Sequence, residues 1–458
     1  MTTGFLFAGI WVYAVVSQGQ HQMPPPKEPA EPQQQHQMPS EKPKDKPTQD
    51  KMPGMQMGSM KGTQGEWSMN RQGSGTSWMP DSSPMFMKML PMWNGFEMRL
   101  MGSVSANYAD AGGPRGDSQL FSSSMAMLMM RRAQPDGGVL GFQFMASLDP
   151  LFNGKKGYPN LFQTGETENG MPLRDRQHPH DLLSEVAASY SKPVGRNIRG
   201  IGYFGIVGEP ALGGSMFMMR PSGMENPESP IGHHWFDSTH ISFGVATLGL
   251  AVDDKWKFEA SAFNATEPNE NRYDIDPINF RSASGRVSYN PSPDWSFQAS
   301  YGYLDNPEPA TDPGVNQHRL TASLMHSRPM SNGDNASMAV IFGRNIKPGE
   351  DPTNAVALEG SYYRGKDAYF ARFERVEKDE LVGVPPGTYT INKLTLGGVR
   401  NFAERNGFEI GAGAFVGLHS FPSSLEPFYG KSPVSFGVFI RVRPSKMRQE
   451  MGSMEPMR

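Results

Sequence analysis

Two connections of this chain gather imidazole and carboxylate at spacings that suit a metal ion. The first, from about residue 150 to 181, ends Arg174-Asp-Arg-Gln-His178-Pro-His180-Asp181. The second runs from Gly208 to Asp237, carries Met216, Met218, Met219 and Met224, and leads into His233-His234-Trp-Phe-Asp237-Ser-Thr-His240. On extended backbone His178 and His180 point the same way, and His234, Asp237 and His240 fall at three-residue steps that a turn can converge on one ion. Imidazole with carboxylate suits Cu(II) or Zn(II), whereas the four methionines suit Cu(I). An Arg/His/Asp hydrogen-bond network that pins a long loop accounts for the same residues. Hydrolysis by a bound water is a further reading, but no Ser/His/Asp motif of recognised spacing is present, so the chain is read as no enzyme.

A second group of soft donors lies near the amino terminus. Fifteen of the 32 methionines fall in the first 101 residues, clustered as Met52, Met55, Met57 and Met60, then Met85, Met87, Met89 and Met92. Thioether sulfur needs no deprotonation and selects Cu(I) or Ag(I) over hard cations. A flexible chain with methionines two or three residues apart can wrap several sulfurs round one ion, and His21 and His36, each two residues before a methionine, extend the range to Cu(II). Methionine also fills irregular apolar gaps, and Met125, Met127, Met129 and Met130, which lie in a strand pattern, are read as packing toward lipid or lumen.

The elements that must position these groups are strands. From about residue 96 to 444 the chain repeats a ten-residue alternation of apolar with small or polar residues, followed by a Gly/Pro/Asn/Asp turn, which is how a membrane β-barrel is written. Leu140, Phe142, Phe144, Ala146 and Leu148 oppose Gly141, Gln143, Met145 and Ser147, and Trp295, Phe297, Ala299, Tyr301 and Tyr303 oppose Ser296, Gln298, Ser300 and Gly302. The bulk sits opposite glycine, serine and charge, and Glu259, Arg372, Glu374, Arg441 and Arg443 fall within strands on the inner side. A dry sandwich core could not hold them cheaply. The pattern predicts an all-β, transmembrane, antiparallel up-and-down barrel of about sixteen strands, with Asp253-Asp254, Asn290 to Asp294 and Asn406-Gly407 as tight periplasmic turns.

Composition narrows the rest. Hydrophobic content of 37% and a mean hydropathy of −0.52 are low for a helical membrane protein and suit a barrel with a polar lumen. A net charge of −3 leaves no nucleic-acid footprint, and zero cysteines exclude disulfides and thiolate zinc sites. Residues 1–17 resemble a signal peptide, residues 18–95 read as a disordered Met/Pro/Gln-rich periplasmic arm, and 445–458 as a carboxy-terminal tail.

The segments His178-Pro-His180-Asp181, Gly208-Glu209-Pro-Ala-Leu-Gly-Gly and His233 to Ile241 resemble those of largely uncharacterised bacterial outer-membrane proteins. Such proteins are encoded beside copper and heavy-metal resistance systems, and the likeness covers about residues 90 to 444. The Met/Pro/Gln-rich arm is similar to the leader of the copper-resistance B outer-membrane family, which implies periplasmic copper binding and a role in copper tolerance. The barrel portion does not match that second family, and the arm has few histidines.

These readings combine into an outer-membrane barrel that binds copper and sequesters it or passes it across the membrane, with metal ions, the lipid bilayer and periplasmic copper-handling proteins as partners. Its candidate ligands are Met52, Met55, Met57, Met60, Met85, Met87, Met89 and Met92 in the arm. At the rim or in the lumen they are His178, His180, Asp181, His233, His234, Asp237 and His240. A general porin with no metal role, or a barrel hydrolase using the His/Asp cluster, are the alternatives. The copper reading predicts that protein purified from copper-fed cells loses copper, by elemental analysis, when residues 20–90 are removed; the porin reading predicts no change.

Overall fold

A computed structural model describes residues 60–236 and 241–447. Alternation of bulk with polarity produces strands throughout. A short strand β1 (Met87–Trp93) leads into β2 (Phe96–Asp110), β3 (Ser118–Ala133), β4 (Val139–Ala146), β5 (Leu183–Gly195) and β6 (Ile198–Gly208). After the second long connection come β7 (Ser242–Val252), β8 (Trp256–Phe263), β9 (Ser282–Ser292), β10 (Trp295–Leu304), β11 (Gln317–Pro329) and β12 (Asn335–Ile346). The sheet finishes with β13 (Thr353–Arg364), β14 (Asp367–Lys378), β15 (Tyr389–Arg405), β16 (Phe408–Ser420) and β17 (Val434–Pro444). Each strand from β2 onward pairs antiparallel with the next, and β17 returns to β2 from Val104↔Val442 to Asp110↔Phe436. Sixteen strands among the described residues therefore close a barrel, and closure removes the unpaired edge that hydrocarbon forbids.

The barrel is inside-out relative to a soluble protein. Outward Leu248, Val438 and Ile440 are 75%, 53% and 55% exposed, whereas inward Glu259 and Arg372 are 6% and 2% exposed. Trp256 stacks on Tyr289 at 4.0 Å and Trp295 on His326 at 4.2 Å, both beside short turns, as in the aromatic girdle of a bilayer interface. The chain is an outer-membrane β-barrel. Connections such as 196–197, 293–294 and 406–407 make a short-turn end, periplasmic in such barrels, while 147–182 and 209–241 extend from the other end.

Among the described residues the lumen is filled rather than open, and segment 209–236 takes part in the filling. Its amides at Ala211 and Gly213 donate to Ser261 Oγ of β8 and Ser300 Oγ of β10, each at 2.8 Å. Arg220 grips Glu359 of β13 with two bonds of 2.9 and 3.0 Å, and Glu359 also accepts from Arg372 of β14 at 2.9 Å. Farther along, Glu225 receives Arg441 and Arg443 of β17, and Glu228 pairs with Lys393 of β15 at 3.1 Å. Every one of these carboxylates is buried. Such pairs do not make a barrel stable against an apolar alternative, but removing one partner leaves a buried charge, which costs about 3–5 kcal/mol.

Residues 60–86 fill the short-turn half, which corrects the expectation that 18–95 form a disordered arm; residues 1–59 lie outside the described residues. Gln64 donates to Gln143 Oε1 at 3.0 Å, Arg286 to Thr76 Oγ1 at 2.7 Å, Arg131 to Gly62 O at 3.0 Å, and Asn290 to Met79 O at 2.8 Å. Trp67 packs edge-on to Trp78 at 5.2 Å. A chain poor in apolar residues fails to fold because it cannot supply its own core. Here the barrel wall supplies hydrogen-bonding partners instead, so a Gln/Ser/Thr-rich segment is ordered. Of the tail, residues 445–447 run beside this plug, with Met447 N donating to Met85 O at 2.9 Å; 448–458 lie outside the described residues.

Because the lumen is stapled shut, reconstituted protein is expected to give little ohmic conductance in planar bilayers. Glu225→Ala, which strands the Arg441 guanidinium and leaves Arg443 with Glu409 alone, is expected to raise that conductance, as is deletion of residues 60–86.

Candidate metal centre

At the long-loop end, segments 147–182 and 209–241 meet against the wall. The first segment opens with the short helix α1 (Asp149–Asn153), and the second carries the four-residue helix α2 (His233–Phe236). Trp235 Nε1 donates to Thr353 Oγ1 at 3.0 Å and Asn345 donates to His234 O at 3.1 Å, fixing α2 on β12 and β13. Gly343 of β12 permits this: a Cβ there would lie 2.0 Å from Trp235 O. In the first segment the two-residue pairing of Tyr158–Pro159 with Arg176–Gln177 carries the chain to His178.

The result brings His178, His233 and His234 together, all buried, with one ligand atom of each within 4.8 Å of the others. His178 Nδ1 lies 3.0 Å from Glu166 Oε1, and His233 Nδ1 lies 2.9 Å from Pro230 O. Gln163 Nε2 also lies 2.8 Å from His233 Nδ1. The two Nε2 atoms stand 3.3 Å apart. Two nitrogens on one tetrahedral ion at ~2.0–2.1 Å are separated by ~3.3–3.4 Å. Glu166 is itself fixed by Arg272, which also reaches Asp181 at 3.2 Å.

His234 Nε2 lies 3.3 Å from Glu267 Oε1, and His234, Glu308 and Glu380 form a second group of donors within 4.8 Å. Burial first, then the charges of Glu308, Glu166 and Glu380, hold the Glu267 carboxyl well above the usual carboxylate range. Glu308 is raised in the same way, by burial and then by Glu380. Crowded carboxyls of this kind favour a bound cation. They border a cavity of about 460 Å³ walled by Glu166, Glu267, Glu270, Asp276 and Glu308 among others.

Of the expected ligands, His178, His233 and His234 converge, while Asp237 and His240 lie outside the described residues. His180 and Asp181 do not join. His180 Nδ1 bonds Asp149 Oδ2 at 2.8 Å, and Asp181 serves Arg272. The alternation assumed for His178 and His180 fails because the ladder ends at Gln177, leaving no pairing to hold the period. Glu166, Glu267, Glu308, Glu380 and Gln163, whose Nε2 is 2.8 Å from His233 Nδ1, were not foreseen. They come from four connections, so no spacing links them. One local signal exists in Gly165, at φ +102°, where a Cβ would lie 2.2 Å from His234 Cε1.

The amino-terminal ligands divide. Met60, Met85 and Met87 are buried inside the barrel, Met89 is half-buried, Met92 is exposed, and Met52, Met55 and Met57 lie outside the described residues. Met125, Met127 and Met129 all face the lumen.

No family model and no curated protein matches the chain. Among solved structures, it is similar to OmpT with loop L8 deleted, an outer membrane protein of Vibrio cholerae, at 11% identity and a TM-score of 0.45, over 76% of this chain and 99% of that one. An anion-selective porin from Comamonas acidovorans gives 11% and 0.46 over 76% and 99%, and OmpF of Salmonella typhi gives 11% and 0.46 over 77% and 100%. The barrel itself rests on its own strand pairing.

Gly165→Ala is expected to displace His234 and strain the backbone at a cost of about 1–3 kcal/mol, seen as a lower urea midpoint and faster proteolysis within 147–182.

Proposed function

We propose that this outer-membrane barrel binds copper at a centre built on His178, His233 and His234, and contributes to copper tolerance by holding the ion or passing it across the membrane. The observation that carries the reading is the convergence of the two Nε2 atoms at 3.3 Å, with Glu166 Oε1 beside His178 Nδ1 and Pro230 O beside His233 Nδ1. Imidazole sites accept zinc as well, but copper binds nitrogen donors more tightly than zinc does, and the same segment carries Met216, Met218 and Met219. The acidic cavity above the histidines supplies an attractive approach for a cation. The amino-terminal arm collects copper through its methionines. The stapled lumen argues against a wide, unselective pore.

The test is a Cu(II) titration of detergent-purified protein, followed by electron paramagnetic resonance and elemental analysis. One copper per chain with nitrogen hyperfine structure is expected. His178→Ala with His233→Ala should weaken binding at least ~100-fold, and Glu166→Gln, which removes the charge beside His178 and Arg272 while keeping size, about 10–100-fold. Cells carrying the double variant should grow less well in copper. Equal copper content and an unchanged spectrum in the double variant would overturn the assignment.

A further inference from the structure

The second group of soft donors lies on the opposite half of the lumen from the histidines, and its composition is unusual. Inward positions on most of the wall are polar, as in Ser284, Arg286 and Ser288 of β9 or Ser296, Gln298 and Ser300 of β10. On β3 they are Met125, Met127 and Met129, flanked by Met101 of β2 and Met145 of β4. Met216, Met218 and Met219 of the inward segment close over this row. Through Met101 it joins a second cluster in which the plug contributes Met60, Met69 and Met85.

Every hydrophobic member of both clusters is methionine; leucine, isoleucine, valine and phenylalanine are absent from them. Apolar packing alone does not make that choice, because leucine fills space as well and with better-defined rotamers. Four independent parts of the chain, the plug, the wall strands β1 to β4, the inward segment and Met447, converge on the same side-chain type. What methionine has and leucine lacks is a soft donor.

The clusters also enclose space. A void of about 40 Å³ is bordered on one side by methionines, among them Met85, Met101, Met125, Met218 and Met219, and on the rest by other residues that include Phe86 and Ser103. About 10–15 Å³ suffices for one water, so a desolvated ion fits and an organic solute does not. Arg443, the cation on its border, is neutralised by Glu225 and Glu409. Through Asn70, Ser83, Pro84 and Met85 the void abuts a cavity of about 590 Å³ beside the short turns at 330–334 and 365–366.

We propose that this thioether-bordered void is a second metal site, separate from the histidine centre, that takes Cu(I) or Ag(I) from the short-turn, periplasmic side. Uncharged sulfurs hold a monovalent soft cation without a buried counter-charge, and a row of nearly equivalent donors lets it exchange from one set to the next. The site stands on its own residues; it rests on the preceding reading only for copper as the physiological metal, and Ag(I) probes it without that premise.

The test uses full-length protein in detergent and Ag(I), with bound silver counted after desalting and its environment read by X-ray absorption. Met125→Leu, Met127→Leu and Met129→Leu together keep volume and remove three sulfurs, that of Met125 from the border of the void and the other two from the row beside it. The expected result is at least tenfold weaker Ag(I) binding, with Cu(II) binding at the histidine centre and heat-modifiable electrophoretic mobility unchanged. Changing Met52, Met55 and Met57 to Leu should leave this site in place. A sulfur-only first shell is expected for silver in that arm variant. Unaltered silver affinity in the β3 triple variant, or a nitrogen and oxygen shell in the arm variant, would overturn the proposal. Loss of Cu(II) binding in His178→Ala with His233→Ala, without loss of Ag(I), separates the two sites. Should the β3 variant not fold, the absorption spectrum of the arm variant decides alone.

Discussion

The structure depends on the need to satisfy a charged wall that faces away from lipid. Closing sixteen strands with bulk outward forces every alternate residue inward, and in this chain those residues include Glu259, Arg286, Glu359, Arg372, Lys393, Arg441 and Arg443. An empty lumen would let water solvate them. Instead the chain returns its own backbone and opposite charges to them. Arg220 goes to Glu359, Glu225 to Arg441 and Arg443, Glu228 to Lys393, and the Gly232 amide to Glu374 at 3.2 Å. Buried pairs of this kind specify one arrangement more than they lower its energy, since each mispairing strands a charge.

That stapled ribbon is also what joins the two donor sets. Reading from β6, segment 209–241 passes Met216, Met218 and Met219 against the methionine row of β3, is clamped at Glu225 and Glu228, and ends on α2 with His233 and His234. Soft sulfur and borderline nitrogen thus occupy different depths of one lumen on a single rigid connector. The charged clamps lie between them in sequence. A ligand set needs orientation within a fraction of an ångström, and this loop is held to wall strands β8, β10, β12, β13, β14, β15 and β17.

The barrel was legible because period two survives every local accident. The barrel of about sixteen strands is matched by the sixteen from β2 to β17, and the turns at 253–254 and 406–407 fall where Asp-Asp and Asn-Gly put them. The plug was illegible for a physical reason: residues 60–86 have no apolar period, and their order comes from Gln143, Arg131 and Arg286 on the wall, far away in sequence. The histidine centre was legible in part. His233 and His234 announce themselves by adjacency and His178 by its motif, but His180 turns to Asp149, and Glu166, Glu267, Glu308 and Glu380 approach from separate connections that no spacing rule relates. Met125, Met127 and Met129 were seen as strand residues, yet period two alone does not say which face is the lumen.

The proposed copper centre in the filled interior of this outer-membrane barrel is tested most sharply by anomalous diffraction at the copper edge from crystals of copper-loaded protein. The account predicts a peak bonded to Nε2 of both His178 and His233, with segments 60–86 and 209–241 in place. Density for copper only at scattered surface positions, or an interior open to bulk solvent with those segments displaced, would contradict it.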